Sequence, residues 1–486
     1  MEAIPTPPQD RSLRPGTVLR LDPRVASWSD GSVLIGGSPW RVSRLAESAR
    51  TVVDALTQRG ERGLAASDPH DLRIFRQLVD RGFAYAQPPP RPPARDCSIV
   101  VPAMDRTESL DRCLASLDAH DVTVIDDGSL DAPAVGAVAT RHGARLVPHS
   151  RNRGPAAARN TGLAQTVGEF VAFLDSDCIA PAGWPQSMLH HFDDPTVAAV
   201  APRVRPSEPC RGVIERYEAT RSSLDMGRHP ELVRPGSRLG FVPTAALILR
   251  RAATDGAAFD ETLRLGEDVD LVWRLTDAGW HVRYDPTVIV RHETRSDPRL
   301  WLRRRFEYGT SAAALASRHP GKLAPARVSA WNMAGIALLA ARRPVAAGAV
   351  MSAATATLAR QLAVPRGPLL AARVVGQGLF ADAAGIGHLL RREWWPIGAT
   401  ALVLAPRSRL ARVGVVCMLA PIAWECLTQR PALDPARYAA IRLVDDAAYG
   451  TGVLIGCLRA RSVAPLAPTV RLPHGIRLWK ARRLPK

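Results

Sequence analysis

The apolar run Phe170 to Leu174, which stops at the acids Asp175 and Asp177, constrains the fold more than any other stretch of this 486-residue chain. A continuous apolar run is typical of a parallel strand that is covered on both faces, and ligands in open α/β sheets bind where such strands end. Two acids at positions i and i+2 leave a strand tip on the same side, which suits a hard divalent cation already held by a diphosphate. A solvated turn after a strand is the alternative interpretation.

A second strand ends in acids in the same way. Val122 to Ile125 is typical of a strand, and Asp126 and Asp127 follow it before a turn at Gly128. With an earlier strand from Ser98 to Pro102 and an amphipathic helix between the two strands, this pattern predicts a β-α-β unit. The sequence contains neither the dinucleotide fingerprint GxGxxG nor a P-loop. We therefore predict that Asp126 and Asp127 accept the N3 proton of a uracil or a ribose hydroxyl.

A glycine turn and an alanine-rich helix come next along the chain. Gly154, after Asn152 and Arg153, lets the backbone approach a ligand, and the helix that opens there points its N-terminal amides at that ligand. Arg159 in this helix can neutralise phosphate charge, although an arginine on an exposed helix face is the commoner case.

The positive charge of the chain is concentrated in its C-terminal third. Residues 299 to 486 contain 28 Lys plus Arg against 7 Asp plus Glu, a surplus of +21 in a chain whose net charge is +18. These arginines are interleaved with Ala, Val and Leu, which favours an anionic membrane surface or plain solubility over nucleic acid. The apolar runs are shorter than the ~18 residues that a membrane span needs, so we expect no span. These runs are Trp331 to Ala341, Val345 to Ala359, Ile397 to Ala405 and Val413 to Trp424.

Cysteine usage and the first residues both indicate a cytoplasmic protein. The seven cysteines form no CxxC pair and no Cys/His cluster at zinc spacing, which favours a reducing compartment. The opening stretch MEAIPTPPQDRS contains acids and prolines and no apolar segment, so we expect no secretory signal. A peripheral position at the inner face of the membrane is compatible with the basic C-terminal third.

Composition divides the chain into four segments. Residues 87 to 95, QPPPRPPAR, predict a Pro-rich extended linker. Residues 1 to 86 before it predict a small α+β domain, residues 96 to 310 an α/β domain, and residues 311 to 486 a basic helical region rich in Ala, Leu and Arg. The elements predicted for the first segment are strands Thr17 to Leu21 and Ser32 to Ile35 and helices Arg41 to Gln58 and His70 to Arg81.

Four motifs in order over about eighty residues resemble those of the family 2 glycosyltransferases, which have the GT-A fold. They are Ser98 to Pro102, Asp126-Asp127-Gly128-Ser129, Asn152 to Gly154 with Ala158 to Asn160, and Asp175-Ser176-Asp177. The segment Gly240 to Ala246 looks like the acceptor-side segment of this family. Gly266-Glu267-Asp268 looks like its Glu-Asp motif at the start of a helix. The resemblance covers residues 96 to about 310.

The resemblance implies a divalent metal, Mn²⁺ or Mg²⁺, and a nucleotide-sugar donor. Asp177 would ligate the metal directly, and Asp175 would contact the ribose, or the metal through water. His292, at the end of a strand from Val288, stands where relatives have a third metal ligand. The other residues that would contact the nucleotide-sugar are Pro102, Asp126, Asp127, Asn152, Gly154 and Arg159.

The same resemblance implies which residues act on the acceptor. Asp268 would be the base that deprotonates the attacking hydroxyl, and Glu267 would orient or contact the acceptor. The structural alternative is that both acids are favourable first-turn residues at a helix N-terminus. With one candidate base and no second nucleophile, we expect an inverting reaction. Arg303 and Arg304 stand where processive relatives have a Gln-x-x-Arg-Trp motif, which is missing here; they would reach the diphosphate or form a basic helix face.

The overall plan of the chain resembles the glycosyltransferases of the mycofactocin system, as does the stretch Leu34 to Arg41. This resemblance implies transfer of glucose from a UDP-sugar and growth of a β-linked oligosaccharide on a redox cofactor made from a ribosomal peptide. The first segment resembles the winged-helix peptide-binding modules found beside such enzymes, and a structural cap is the alternative. Two other functions stay open: a family 2 transferase acting on a lipid-linked or cell-wall acceptor at the membrane, and a non-catalytic peptide-binding scaffold.

Overall fold

The computed structural model describes residues 4–28, 31–66, 68–89, 96–117, 121–208, 210–294, 296–362 and 364–471. The chain divides into two compact units: Met1–Cys210 with Arg221–Thr294, and Arg211–Thr220 with Arg295–Lys486. The predicted segments 1–86 and 96–310 therefore share the first unit up to residue 294. Residues 90–95 of the predicted linker lie outside the described residues. The three predicted boundaries between the four segments stay predictions.

The N-terminal module, residues 4–89, is a small α+β structure. Its elements are β1 Thr17–Leu21, β2 Ala26–Trp28, β3 Val33–Gly36, β4 Arg41–Arg44, α1 Glu47–Arg59, β5 Leu64–Ala66, α2 Pro69–Asp80 and β6 Ala84–Gln87. The strands form two antiparallel sheets, in the orders β5-β1-β6 and β2-β3-β4. Leu56, Phe75 and Phe83 are buried in the core between these elements.

All four elements predicted for this module are confirmed in kind, and one of them has the wrong start. Strand β1 has the predicted bounds, β3 covers most of the second predicted strand, and α2 begins one residue before the predicted start. The predicted helix start at Arg41 was wrong, because Arg41–Arg44 is strand β4 and helix α1 begins at Glu47. Strand β4 pairs with β3, and this ladder satisfies backbone groups that a helix start would leave unpaired. The winged-helix resemblance stays a prediction.

A mixed sheet of nine strands, counted over the described residues, forms the rest of the first unit. Its strand order is β11-β15-β12-β14-β10-β7-β8-β9, with β13 beside β15. The elements are β7 Cys97–Ala103, α3 Thr107–Ala115, β8 Val122–Asp126, α4 Ala132–Arg141, β9 Arg145–Pro148, α5 Pro155–Gln165, β10 Phe170–Leu174, β11 Cys178–Ile179, α6 Trp184–Met188, β12 Val197–Pro206, then α7 Val213–Arg221 of the second unit, β13 Glu231–Val233, β14 Ala246–Arg250, α8 Glu267–Asp277 and β15 His281–His292.

Four parallel strands of this sheet create the edge that carries the candidate site. Strands β10, β7, β8 and β9 are parallel neighbours, so their carboxyl ends meet on one side. All five side chains of β10 are buried, as the continuous apolar run predicted. Ile99, Val124 and Ile248 belong to the same core. Asp126 ends β8 and Asp175 follows β10, so the acids lie at this carboxyl edge.

The second unit is mainly helical, which confirms the prediction for the C-terminal region. With α7 its elements are α9 Pro298–Thr310, α10 Ala312–Arg318, β16 Arg327–Ser329, α11 Ala330–Ala340, α12 Pro344–Leu362, α13 Gly367–Arg391, α14 Trp395–Leu404, α15 Arg409–Gln429, α16 Pro435–Ala460 and β17 Thr469–Arg471. A buried ion pair joins two of its helices: Arg391 of α13 bonds to Asp446 of α16 at 2.6 Å. Arg442, also on α16, bonds to the same acid at 2.6 Å.

Helix α15 is longer than its apolar run indicated, and helix α13 lies outside the four predicted apolar runs. Helix α13 has 25 residues, and α15 has 21 and contains the predicted run Val413 to Trp424. Both are long and apolar enough to cross a membrane by length and composition. The expectation of no membrane span stays a prediction. Arg373 and Asp382 interrupt the apolar run in α13. The Asp382 carboxylate accepts bonds from Ser329 N at 2.8 Å and Asn332 Nδ2 at 2.7 Å.

Candidate active site

Asp126 and Asp127, at the end of strand β8, organise the turn beside it. Both are buried, and the Asp126 carboxylate accepts a hydrogen bond from Ser129 N at 3.0 Å. The Asp127 carboxylate accepts bonds from Arg153 N at 2.9 Å and Gly154 N at 2.7 Å. Asp127 therefore holds the turn that begins helix α5. Contacts of these two acids with a base or a ribose stay predictions.

His149 is a member of this edge that sequence reasoning missed. Because a carboxylate only accepts, His149 Nδ1 donates to Asp127 Oδ1 at 2.8 Å, and Nε2 is hydrogen-bonded to Thr161 Oγ1 at 2.9 Å. The imidazole thus joins the acid after β8 to helix α5. Nearby, a Cβ on Gly128 (φ 74°) would lie 2.4 Å from the carbonyl carbon of Arg151, so the turn requires glycine. The position of His149 directly after β9 was the available signal.

Arg159 on helix α5 joins acids from two other elements. Its Nη2 bonds to Asp175 Oδ1 at 2.7 Å and its Nη1 to Glu267 Oε1 at 2.8 Å. The residue is buried, and its guanidinium carbon lies 5.6 Å from the ring centroid of Phe259. Burial opposes its charge, but Asp175 and Glu267 raise the pKa of Arg159 above its ordinary value. The alternative that Arg159 lies on an exposed helix face was therefore wrong.

Asp268 is adjacent to Glu267 in the first turn of α8 but has a different environment. Its Oδ1 accepts a hydrogen bond from Val269 N at 2.8 Å. Burial, and then the negative charge of Glu267, raise the pKa of Asp268 from 3.8 to about 7. Glu267 forms an ion pair with Arg159. The two neighbouring acids therefore differ: Glu267 is a paired anion, and Asp268 is able to take a proton near neutral pH.

Asp177 and His292 form a second pair at this edge. Strand β11 pairs with β15 so that Cys178 lies opposite His292, and His292 Nε2 lies 3.3 Å from Asp177 Oδ1. The side chains of Asp175, Asp177 and His292 are 30%, 17% and 23% exposed, so solvent reaches all three. Carboxylate oxygens and an imidazole nitrogen are donors that Mn²⁺ or Mg²⁺ accepts. Among the described residues, however, these three do not form a group whose ligand atoms all lie within 4.8 Å of one another, so metal ligation by them stays a prediction.

Arg106, which sequence reasoning also missed, bonds to this pair. Its Nη1 lies 3.1 Å from Asp177 Oδ2, and its backbone has the left-handed φ of 50° at the start of helix α3. Arg106 comes three residues after strand β7, at the carboxyl edge, which was the available signal. The guanidinium supplies positive charge beside a carboxylate that would otherwise lie between other acids.

The segment predicted for the acceptor side borders these acids. Trp273 Nε1 of helix α8 donates to Gly240 O at 2.8 Å, which attaches one end of the segment to the helix that carries Asp268. At the other end Asp175 N donates to Ala245 O at 2.9 Å. Segment 240–246 therefore connects the neighbourhood of the candidate base to that of the candidate metal ligands.

Three residues predicted to contact the nucleotide-sugar, Pro102, Asn152 and Gly154, lie on the strand and turns of this edge. Pro102 is in strand β7, opposite Ile125 of β8. Asn152 is exposed, and its Oδ1 accepts a bond from Arg264 Nη1 at 3.4 Å. Gly154 has a φ of 98° and precedes helix α5. Their contacts with a nucleotide stay predictions.

Arg303 and Arg304 belong to the second compact unit, on helix α9. Arg303 Nε lies 2.9 Å from Glu307 Oε1, and Arg304 Nη1 lies 3.6 Å from Glu307 Oε2. Both contacts lie within helix α9, which agrees with the alternative that these arginines form a basic helix face. Their contact with a diphosphate stays a prediction.

Comparison with known proteins decides the family. Residues 98–256 match the family model described as glycosyl transferase family 2. The chain is also 38% identical over 474 residues to the pre-mycofactocin glycosyltransferase of Mycobacterium tuberculosis, across 94% of this chain and 99% of that protein. The chain is a family 2 glycosyltransferase. This glycosyltransferase is 33% identical over 201 residues to the succinoglycan biosynthesis protein ExoU of Rhizobium meliloti, across 37% of this chain and 56% of that protein.

Among solved structures, the family 2 glycosyltransferase is similar to the mannosyltransferase PcManGT from Pyrobaculum calidifontis, solved in complex with GDP-Man and Mn²⁺. The identity is 18% and the TM-score 0.42, over 76% of this chain and 89% of that one. The family match, with a mixed sheet whose parallel strands end in the motif acids, confirms the predicted GT-A fold.

The edge of this glycosyltransferase carries the groups that sugar transfer from a nucleotide-sugar requires. The departing diphosphate needs positive charge, and the attacking hydroxyl needs a base. Arg106 and Arg159 bring positive charge to Asp177 and Asp175, and Asp268 is a carboxyl with a pKa near neutrality. The arrangement can therefore stabilise a leaving anion and remove a proton at adjacent places.

Proposed function

We propose that this glycosyltransferase transfers glucose from a UDP-sugar onto a peptide-derived redox cofactor of the mycofactocin type, in a metal-dependent, inverting reaction. Repeated transfer would build a β-linked oligosaccharide. The observation that carries the proposal is the 38% identity over 94% of the chain to a protein named for pre-mycofactocin. A match that includes the N-terminal module and the helical region as well as the transferase part favours a shared acceptor.

Asp268 is the proposed general base. With a pKa of about 7 it is substantially ionised at neutral pH and still basic enough to take a proton. A carboxylate oxygen of Asp268 takes the proton of the attacking hydroxyl while the new C–O bond forms and the bond to the diphosphate breaks. Direct attack of this kind inverts the anomeric carbon. Glu267, held at 2.8 Å from Arg159 Nη1, is proposed to orient the acceptor.

Asp175, Asp177 and His292 are proposed to hold the divalent cation. When bound, Mn²⁺ or Mg²⁺ would neutralise charge on the leaving diphosphate. The imidazole of His292, with Nε2 at 3.3 Å from Asp177 Oδ1, adds a nitrogen donor, which suits Mn²⁺ better than Mg²⁺. Arg159 fixes the direction of the Asp175 carboxylate through its 2.7 Å bond.

The nucleotide of the donor is proposed to lie along the carboxyl edge of the parallel strands. Gly154, with its φ of 98°, allows close approach to the first amides of helix α5, which favour an anion. The proposed contacts are Pro102, Asp126, Asp127, Asn152, Gly154 and Arg159.

Mass spectrometry of transfer reactions tests this proposal. The purified protein is incubated with UDP-glucose or other UDP- and dTDP-sugars, Mn²⁺ and the peptide-derived cofactor precursor. We expect hexose increments on the precursor that are lost with Asp268→Asn and kept with Asp277→Asn, an exposed acid on the same helix. Donor hydrolysis without a modified precursor would contradict the acceptor. Unchanged product from Asp268→Asn would contradict the base and favour a non-catalytic scaffold.

A second candidate function is transfer to a lipid-linked or cell-wall acceptor at the inner face of the membrane. Helices α13 and α15 favour it, because only 11% and 17% of their apolar windows are buried within the chain. Phe380 and Trp424 on these helices are 79% and 68% exposed. The basic surplus of the C-terminal third would meet anionic head groups on the cytoplasmic leaflet. Transfer that requires a lipid acceptor in anionic vesicles would support this function over the first.

A further inference from the structure

Three arginines surround one turn of the N-terminal module, at its junction with the transferase part of the first unit. Arg234, just after strand β13, donates from Nε and Nη2 to Ser38 O at 3.1 and 2.7 Å. Arg41, at the start of β4, donates from Nε to Pro39 O at 3.3 Å. Arg81 reaches the same turn through its main chain. A Cβ on Gly82 would lie 2.4 Å from Ser38 O, so the two backbones are in direct contact.

A neighbouring arginine is neutralised in the ordinary way. Arg238 Nη2 bonds to Asp22 Oδ2 at 3.0 Å, and its Nε lies 3.4 Å from Glu231 Oε1. Asp22 and Glu231 are both buried, and Arg24 pairs with the same two acids. This network attaches the module to the transferase part with its charges matched.

Arg41 and Arg234 have no such acids. In the part of the chain that the structure describes, the Arg41 and Arg234 side chains each donate to a main-chain carbonyl. Neither has a carboxylate oxygen within 4.0 Å, the distance limit for an ion pair. Burial, and then the charge of Arg41, lower the pKa of Arg234 to about 10, and the same two causes lower the pKa of Arg81; the negative charge of Asp80 opposes both shifts but does not cancel them. The Arg81 side chain donates to Gln77 O at 3.2 Å. The side chains of Arg41 and Arg234 are only partly exposed, so water compensates their charges incompletely. The fold therefore holds positive charge at this turn against mutual repulsion.

We propose that Arg41, Arg81 and Arg234 form a binding site for a doubly charged oxyanion, a phosphoryl group or a dicarboxylate, separate from the sugar-transfer site. Guanidinium groups present paired donors that match the oxygens of phosphate and carboxylate, and an anion between them replaces repulsion by attraction. Trp40, beside Arg41, is 53% exposed and offers an apolar ring to the body of a ligand. The inference does not depend on the proposed sugar or acceptor.

Thermal unfolding in matched buffers tests the site. Inorganic phosphate is compared with chloride at equal ionic strength, for wild type, Arg41→Gln, Arg234→Gln and the control Arg14→Gln. Arg14 also joins the N-terminal module to the transferase part, but its partner is Asp193, at 2.7 Å. We expect phosphate to raise the Tm of wild type and control by a few degrees, and each of the other two variants to lose at least half of that rise. A rise that survives in both variants comes from another site and overturns the proposal.

The Tm in chloride alone gives an independent readout. Because Arg41 and Arg234 repel each other, Arg41→Gln and Arg234→Gln should unfold at or above the wild-type temperature. Arg238→Gln, which leaves the buried acids Asp22 and Glu231 with Arg24 as their one remaining arginine partner in the network, should unfold below it. Loss of Tm in all three variants would make the cluster a plain structural element. Succinate in place of phosphate separates the ligand sources: an equal rise indicates carboxylates, a smaller one phosphoryl groups, and no rise with either anion refutes the site.

Discussion

Asp268→Asn preserves the size of the side chain and removes its ability to take a proton. A general base contributes about 10²- to 10⁴-fold to a rate, so we expect kcat for sugar transfer to fall by about that factor. In the wild type only ionised Asp268 accepts a proton. Transfer should therefore increase as pH rises through about 7, by about tenfold per pH unit below that value.

The same pKa has the opposite effect on stability. Asp268 titrates near 3.8 in an unfolded chain and at about 7 in the folded one, so the folded state binds more protons between these values and loses stability as pH rises from about 4 to about 7. The difference of about three pKa units corresponds to at most about 4 kcal/mol. At pH 8, Asp268→Asn should thus raise the free energy of unfolding by about 1 to 4 kcal/mol, and the gain should disappear near pH 4.

Urea unfolding at both pH values, beside transfer kinetics, measures the two effects on one preparation. Asp270→Asn is the matched control, because Asp270 is buried in the same helix and bonds to Arg274 Nε at 2.7 Å. It should lower the free energy of unfolding by about 1 to 3 kcal/mol. The reasoning is refuted if Asp268→Asn destabilises the protein at pH 8 as the control does, or if it keeps the wild-type kcat.

Three other predictions follow from the site and the helical region. Chelation should abolish transfer and Mn²⁺ should restore it in the wild type but not in Asp177→Asn, as measured by product mass; full activity in chelator would exclude the metal. Arg159→Gln leaves two acids without their buried partner and should cost about 3 to 5 kcal/mol in urea unfolding, whereas Arg153→Gln, at an exposed pair, should cost less than about 1 kcal/mol. Flotation should detect binding to anionic vesicles that Phe380→Glu weakens; equal binding by the variant would place the contact elsewhere.

Local sequence was sufficient to predict the sheet edge and the order of the acids along it. A run such as Phe170–Leu174 must be buried on both faces, and the polar residues that follow it must lie where the strand ends. Turn glycines mark the same places, so the ends of β7, β8 and β10 and the start of helix α8 were predictable without long-range contacts. The family motifs lie at these positions because strand ends and helix starts are where side chains and amides face a ligand.

Pairing among those acids depends on contacts far apart in the chain, and the sequence did not specify it. Arg159 bonds to Glu267 across 108 positions, which leaves Asp268 with the raised pKa. The register of β4 against β3 replaced a predicted helical turn with a strand, and hydrogen-bond donors supplied by other elements allowed a long helix through Asp382. In each case burial and partner geometry, which exist only after folding, determine the energy of a polar group, whereas local propensity depends only on its neighbours in sequence.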